Sequence, residues 1–192
     1  LCLTTLYGFS SLQLVSPNPC KPFDAQRDGI SAGEGAAFVL LERVAEPHAG
    51  AILLSGIGES SDAYHMSSPH PQGLGARMAM AAALASAGLQ PQDIDYINLH
   101  GTATPSNDSA EDAAVTALFG CATPCSSTKG YTGHTLGAAG GVEAVICALA
   151  LREGLLPGGV GTETLDPQLR CNYQFDTQQR PLLHVLSNSF GF

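Results

Sequence analysis

The sequence predicts an α/β domain in which a mixed or parallel sheet lies between helices. Three observations lead there. From residue 76 onwards, helix-forming and strand-forming stretches alternate, the pattern of a layered α/β fold. The composition, 44% apolar with 22 glycines in 192 residues, supports one sizeable packed body and excludes a disordered chain. Polar clusters fall at strand ends and helix starts, where such folds place their sites.

Leu6 to Val15 reads as a short amphipathic helix. "SPNPCKPFDAQRDG" follows, and with Pro17, Pro19 and Pro22 it can only be an irregular connection. "AAFVLLERV" and "GAILLSGIGESSDAY", separated by a polar turn, read as two strands. "ARMAMAAALASAG" is a run of strong helix formers closed by Gly88, and "IDYINL" is a short strand of buried type. "HGTATPSN" is a loop, after which Asp108 and Glu111 have the spacing of a capping box, opening a helix through Leu118. "TPCSSTK" is a strand. "HTLGAAGGVEAVICALALREG" is a helix ended by Gly154; apolar on nearly every face, it is expected in the interior. Its Gly137, Ala138, Ala139, Gly140 and Gly141 allow a second backbone to approach closely. "YQFD" and "LLHVLSNSF" are strand-like. The last strand runs into "FGF" and the chain ends there, from which a truncated layer is expected.

Charge and cysteine content exclude several function classes. A formal net charge of -9 with only eight Lys and Arg leaves too little cationic surface to displace counterions from nucleic-acid phosphates. No apolar run approaches the roughly 18 residues of a membrane span. The six cysteines are scattered. Cys121 and Cys125 lack companions at zinc spacing, and of His65, His70, His100 and His134 no two stand at i, i+4, so neither metal nor cofactor is expected. Free thiols and an N-terminus without a signal-peptide pattern make the cytoplasm the expected location.

Four clusters can carry chemistry: His100 with Thr102 and Thr104, Lys129 with His134, Glu143 within the apolar helix, and the terminal "NSFGF". His100 is either a hydrogen-bonded structural residue or part of a channel wall. His134 is either a helix cap or an imidazole kept neutral by a helix N-terminus and ready to donate to a developing oxyanion. Lys129 and Glu143 are either two solvated charges or one buried pair, since an unpaired charge among apolar neighbours is strongly disfavoured.

The motifs "KPFDAQRDGISAGEGAAFVLLE", "SSDAYHMSSP", "INLHGTATPSNDSAE", "SSTKGYTGHTLGAAGGVEA" and "SNSFGF", in this order, resemble those of the β-ketoacyl-acyl carrier protein synthases, condensing enzymes of the thiolase superfamily. The resemblance implies a thiolase-like α-β-α layered fold. Residues 1–50 would be the tail of its N-terminal half, and residues 51–192 its C-terminal half lacking the final residues. It implies a decarboxylative Claisen condensation of an acyl thioester with malonyl-acyl carrier protein, in fatty acid or polyketide synthesis. His100 and His134 would stabilise the enolate, Lys129 would orient the site and Glu143 would pair with it. Thr102 and Thr104 would contact the phosphopantetheine arm. Phe190 would line the substrate site, and Phe192 would complete an oxyanion hole and gate the acyl pocket.

The partners so implied are acyl carrier protein, malonyl and acyl thioesters, and a second ketosynthase-like subunit in a homodimer or heterodimer. The family's nucleophilic cysteine belongs to an N-terminal segment that nothing here matches; Cys2 in "LCLTT" lacks its motif. The chain alone is therefore expected not to condense. Two other readings are a non-catalytic partner subunit of the chain-length-factor type, which retention of both histidines opposes, and a folded remnant that only binds. Tyr131 in "GYTGH" stands where a smaller or aliphatic residue is expected and points to an altered substrate channel.

Overall fold

A computed structural model describes residues 1–191. Its elements are α1 (Leu3–Ser11), α2 (Leu74–Ala87), β1 (Tyr96–Asn98), α3 (Pro105–Phe119), β2 (Pro124–Ser126), α4 (Lys129–Thr132), α5 (Ala139–Glu153), β3 (Leu155–Leu156), β4 (Asn172–Tyr173), β5 (Gln178–Gln179) and β6 (Val185–Ser187). Short 3₁₀ turns cover Pro91–Asp93 and Leu136–Ala138.

Four strands form a parallel sheet in the order β4-β2-β1-β6, with Ile97 opposite Cys125 and Leu186. A separate antiparallel ribbon joins β3 and β5. Alternation along β1 sorts its side chains between two layers. Ile97 faces a core with Met80 and Leu84 of α2, Ala114, Val115 and Phe119 of α3, and Phe23 and Tyr173. Tyr96 faces the other side, against Ala150 of α5, Leu156 and Leu182. The layers are helix, sheet, helix. Gly88 and Gly154 close α2 and α5 in the left-handed conformation, as their positions require.

Six elements differ from the sequence reading. Helix α1 spans Leu3–Ser11 rather than residues 6–15 and buries none of its side chains; the chain leaves it at Gln13, whose φ is 57°, and Val15 then bridges to Ile30. "AAFVLLERV" and "GAILLSGIGESSDAY" form no strand, and Phe38 is 93% and Leu40 85% exposed. An apolar extended run becomes a strand only beside a partner that takes its N–H and C=O groups, and the described residues supply none. Helix α3 starts earlier, at Pro105 after Thr104, because proline's fixed φ suits the first helical position. Asp108 and Glu111 therefore lie inside the helix, buried, and make no capping box.

Helix α5 begins at Ala139, five residues later than read, because Leu136 takes φ 52° in the preceding turn. It is not interior. It buries the stripe Ala139, Glu143, Cys147 and Ala150, while Leu149 on its outer side is exposed. Of "YQFD", only Tyr173 is in a strand.

Close backbone approaches fix where the pieces meet. A Cβ on Gly33 would stand 2.2 Å from Thr132 O, with Gly133 behind it. One on Gly137 would meet nothing within 4 Å. Gly33→Ala is expected to lower unfolding stability by about 1–3 kcal/mol. Gly137→Ala is expected to stay within about 0.5 kcal/mol of the parent; urea unfolding of the two variants separates a required approach from a merely small residue.

Candidate active site

Two loops leave the C-terminal ends of neighbouring strands β1 and β2, and each carries one histidine. After Asn98, Leu99 N–H still donates to Ser126 O at 2.8 Å, and the chain then turns sharply through Gly101 (φ 41°) and Ala103 (φ 66°). A Cβ on Gly101 would stand 2.4 Å from that of Ser127, so only glycine admits the second loop so close. Ser127 Oγ–H donates back to Gly101 O at 2.8 Å.

His100 is buried, and its backbone is fixed by a carboxylate. Glu111, one helix away on α3, accepts from His100 N–H and Gly101 N–H, both at 2.8 Å, and from Asn188 Nδ2 at 2.9 Å. One buried side chain thus ties the first histidine loop to the segment after β6. Burial pushes the Glu111 carboxyl up to about 7 against these three donors. His134 is held from the other side: its N–H donates to Ser31 O at 2.7 Å and its carbonyl accepts from Gly33 N–H at 3.0 Å.

The imidazole centroids are 5.1 Å apart with planes at 85°. Phe190 stands edge-on to His100 at 5.8 Å. Lys129 reaches between the loops with 1% of its side chain exposed. Its Nζ donates to Glu143 Oε1 and lies 3.4 Å from His100 Nδ1. An ammonium has only protons to offer, so His100 Nδ1 must be the acceptor. His134 Nδ1 accepts from Leu136 N–H at 3.2 Å. In both neutral rings the proton therefore sits on Nε2, which is the donor each can present.

Electrostatics keep the rings in that form. Burial, then Lys129, then His134 hold His100 well below the ordinary imidazole value. Burial, then Lys129, bring His134 down to about 4. For Glu143 burial raises the carboxyl and Lys129 opposes it. Both rings are uncharged at neutral pH and backed by a paired cation, an arrangement suited to receiving negative charge as it develops.

The structure brings His100, His134, Lys129, Glu143 and Phe190 together. Thr102 and Thr104 are buried in the loop after His100 and share a hydrogen bond of 2.9 Å. Phe192 lies outside the described residues. Tyr131 lines a separate apolar cavity of about 290 Å³ with Ile146, Leu149 and Ala150, away from the histidines. Sequence reasoning reads Glu111 only as a helix cap and Asn188 only as part of the terminal "NSFGF" cluster, and so misses the anchor they form; the available signal is a carboxylate in a helix of small residues. Among the described residues no group of three or more His, Cys, Asp and Glu is placed to hold a metal, and no helix is long and apolar enough to cross a membrane. Cys147, one turn from Glu143, is a buried thiol pushed up to about 12 and keeps its proton.

Comparison with known proteins matches residues 51–163 to the C-terminal domain of beta-ketoacyl synthases and residues 1–46 to their N-terminal domain. The chain belongs to the β-ketoacyl synthase family. It is 38% identical to 3-oxoacyl-[acyl-carrier-protein] synthase 2 of Staphylococcus aureus, over 96% of this chain and 49% of that protein. With the Synechocystis protein of the same name it shares 41% identity, over 96% of this chain and 48% of that one. Among solved structures, the ketosynthase (ApeO) in complex with its chain length factor (ApeC) from Xenorhabdus doucetiae matches all of this chain and 48% of that one, with a TM-score of 0.86 and 43% identity. A beta-ketoacyl synthase from Burkholderia phymatum matches with a TM-score of 0.86 and 31% identity, again over all of this chain and 50% of that one. These thiolase-like neighbours share the layered α/β architecture described above. The chain spans about half the length of the curated relatives it matches.

Breaking the buried pair from one side leaves an uncompensated charge. Lys129→Met is expected to cost roughly 3–5 kcal/mol, and adding Glu143→Gln is expected to restore a large part of it, as read by denaturant unfolding of the single and double variants. His134 predicts a pH effect. Its folded value of about 4 lies below the ordinary 6.5, so between these values the unfolded state binds the extra proton. Its stability contribution is complete above pH 6.5 and is lost as pH falls towards 4. Glu111, raised to about 7 from 4.5, contributes with the opposite sign over pH 4.5 to 7, so only a difference isolates the histidine. Between pH 6.5 and 4 the parent is expected to lose more stability than His134→Gln; parallel curves would show that His134 titrates normally.

Proposed function

We propose that this chain is the histidine-bearing, C-terminal portion of a β-ketoacyl-acyl carrier protein synthase, an acyltransferase that condenses an acyl thioester with malonyl-acyl carrier protein. The observation that carries it is the pair of neutral imidazoles, His100 buried and His134 half-buried, each with Nδ1 occupied and Nε2–H left to donate. Residues 1–50 are read as the tail of the enzyme's N-terminal half and residues 51–192 as its C-terminal half. The family matches over 1–46 and 51–163 support this division.

In the reaction so assigned, the bond between the malonyl α-carbon and its carboxylate breaks, carbon dioxide leaves, and the electron pair moves onto the thioester oxygen. His100 and His134 donate hydrogen bonds to that oxygen. Because the rings are neutral and fixed before the charge appears, little reorganisation accompanies it. The enolate carbon then attacks an acyl group held as a thioester on a cysteine outside the six described here; the carbon–carbon bond forms, the carbon–sulfur bond breaks and the cysteine leaves as thiolate. Lys129, paired with Glu143, holds His100 Nδ1 as acceptor. Thr102 and Thr104 contact the phosphopantetheine arm. Phe190 walls the substrate site, and Phe192 contributes its amide to the acyl oxyanion hole.

The partners are acyl carrier protein and a second ketosynthase-like subunit; two structural neighbours, a ketosynthase in complex with its chain length factor and a type II PKS acyl-carrier protein in complex with its ketosynthase, support this reading. The site of action is the cytoplasm, and no cofactor takes part. Both histidines with their supporting lysine and glutamate weigh against a chain-length-factor role. The test is malonyl-carrier-protein decarboxylation by the synthase containing this chain. His100→Ala and His134→Ala are each expected to slow it by about 10²–10³; unchanged rates would remove the histidines from the reaction.

A further inference from the structure

The segment 20–33 touches both histidine loops, and one buried arginine fixes it. Gly29 N–H donates to Ala103 O at 3.0 Å in the loop after His100. Two residues further on, Ser31 O and Gly33 N–H bracket the backbone of His134 at 2.7 and 3.0 Å. Among the described residues, this strap hydrogen-bonds to the backbones of both loops.

Arg27 lies at its centre with 6% of its side chain exposed. Its Nη1 donates to Asp166 Oδ2 at 2.6 Å and to Asp24 O at 2.8 Å, and its Nη2 donates to Ser109 Oγ at 3.2 Å. Its Nε is buried without a hydrogen-bond acceptor and faces Asp108 Oδ2 at 3.7 Å. That carboxylate oxygen accepts instead from Phe23 N–H at 2.8 Å, within the strap itself. Asp24 adds a further tie, its Oδ2 accepting from Glu163 and Thr164 N–H at 2.8 Å. The guanidinium thus joins three separate pieces of chain: the strap, the first turns of α3 directly after the His100 loop, and the 163–166 loop.

We propose that Arg27 is a positioning residue for both His100 and His134: by pinning the strap to α3 and to Asp166, it fixes the spacing of the two loops that carry the imidazoles. The role presupposes the reading of these histidines as paired donors. The Arg27 side chain makes no contact with either ring and acts only through the strap's backbone. Lysine cannot replace it, because one ammonium does not reach Asp166, Asp24 O and Ser109 together as a planar five-donor fork does.

Amide hydrogen exchange and imidazole NMR titration of the protein test this in Arg27→Met and Arg27→Lys, with the exposed Arg152→Met as control. The groups facing the strap are Asp24, Asp108 and Asp166; those facing the rings are Lys129 and, through it, Glu143. In folded Arg27→Met, exchange at Gly29, Gly33 and His134 is expected to rise at least about tenfold relative to Ile97 and Cys125 in the sheet. Water admitted to the loosened loops is expected to raise the His134 value from about 4 towards the ordinary 6.5. Arg27→Lys is expected to follow in the same direction.

Equal acceleration in sheet and strap would reduce Arg27 to a general stabilising residue, and unchanged ring titration would overturn the proposal. Should Arg27→Met not fold, Asp166→Asn removes one arm of the node and is expected to give the same pattern at smaller amplitude; no local change there would also overturn it. Unaffected decarboxylation in the histidine variants would refute the functional reading without altering these measurements, so the two failures are distinguishable.

Discussion

A lysine ammonium removed from water beside two imidazoles governs the rest of this structure. The isolated charge would be prohibitive in an apolar surrounding, so it requires Glu143, and Glu143 is delivered from the buried stripe of α5 against β6. Once paired, the cation does two things that need no movement. It gives His100 Nδ1 a donor, which decides the tautomer, and it disfavours protonation of both rings. Burial does most of the work on the histidines; the cation adds to it with the same sign.

The histidines come from separate loops, so the spacing of their rings is a property of the fold. Parallel pairing of β1 with β2 puts the two loop origins side by side, and Gly101 lets them close on each other. Glu111 then anchors the first loop to the segment after β6, and the strap through Gly29, Ser31 and Gly33 spans to the second. Carboxylates buried among backbone N–H groups serve as scaffolding throughout: Glu111, Asp108, Asp24 and Asp112 each accept from at least one backbone amide of another segment. This accounts for an acidic chain whose net charge is -9 while several of its carboxylates are hidden.

Local signals in the sequence located most of what depends on short-range physics. Helix α2 with its Gly88 cap, strands β1 and β2, and the polar clusters at their ends follow from propensity, periodicity and cap chemistry. What failed depended on partners or on single dihedral angles. "AAFVLLERV" has the composition of a strand, but pairing is a property of two segments, and no described neighbour accepts it. Helix α5 reads as apolar all round, yet only one stripe is covered. Its start was misplaced because Leu136 adopts a positive φ that no composition rule foresees. In the site, Lys129 and Glu143 could not be decided as a pair from spacing, since they stand fourteen positions apart across a turn. Glu111 was visible as a residue but not as an anchor, because its partners stand 11 and 77 positions away.

The measurement closest to the central claim is the protonation state of the two rings in the unmodified protein, read from long-range ¹⁵N–¹H correlations of the imidazoles at neutral pH. The account predicts that both His100 and His134 are neutral, with Nε2 protonated and Nδ1 bare. A ring found as imidazolium, or carrying its proton on Nδ1, would contradict it, because the lysine and the Leu136 amide would then not be holding the proton on Nε2.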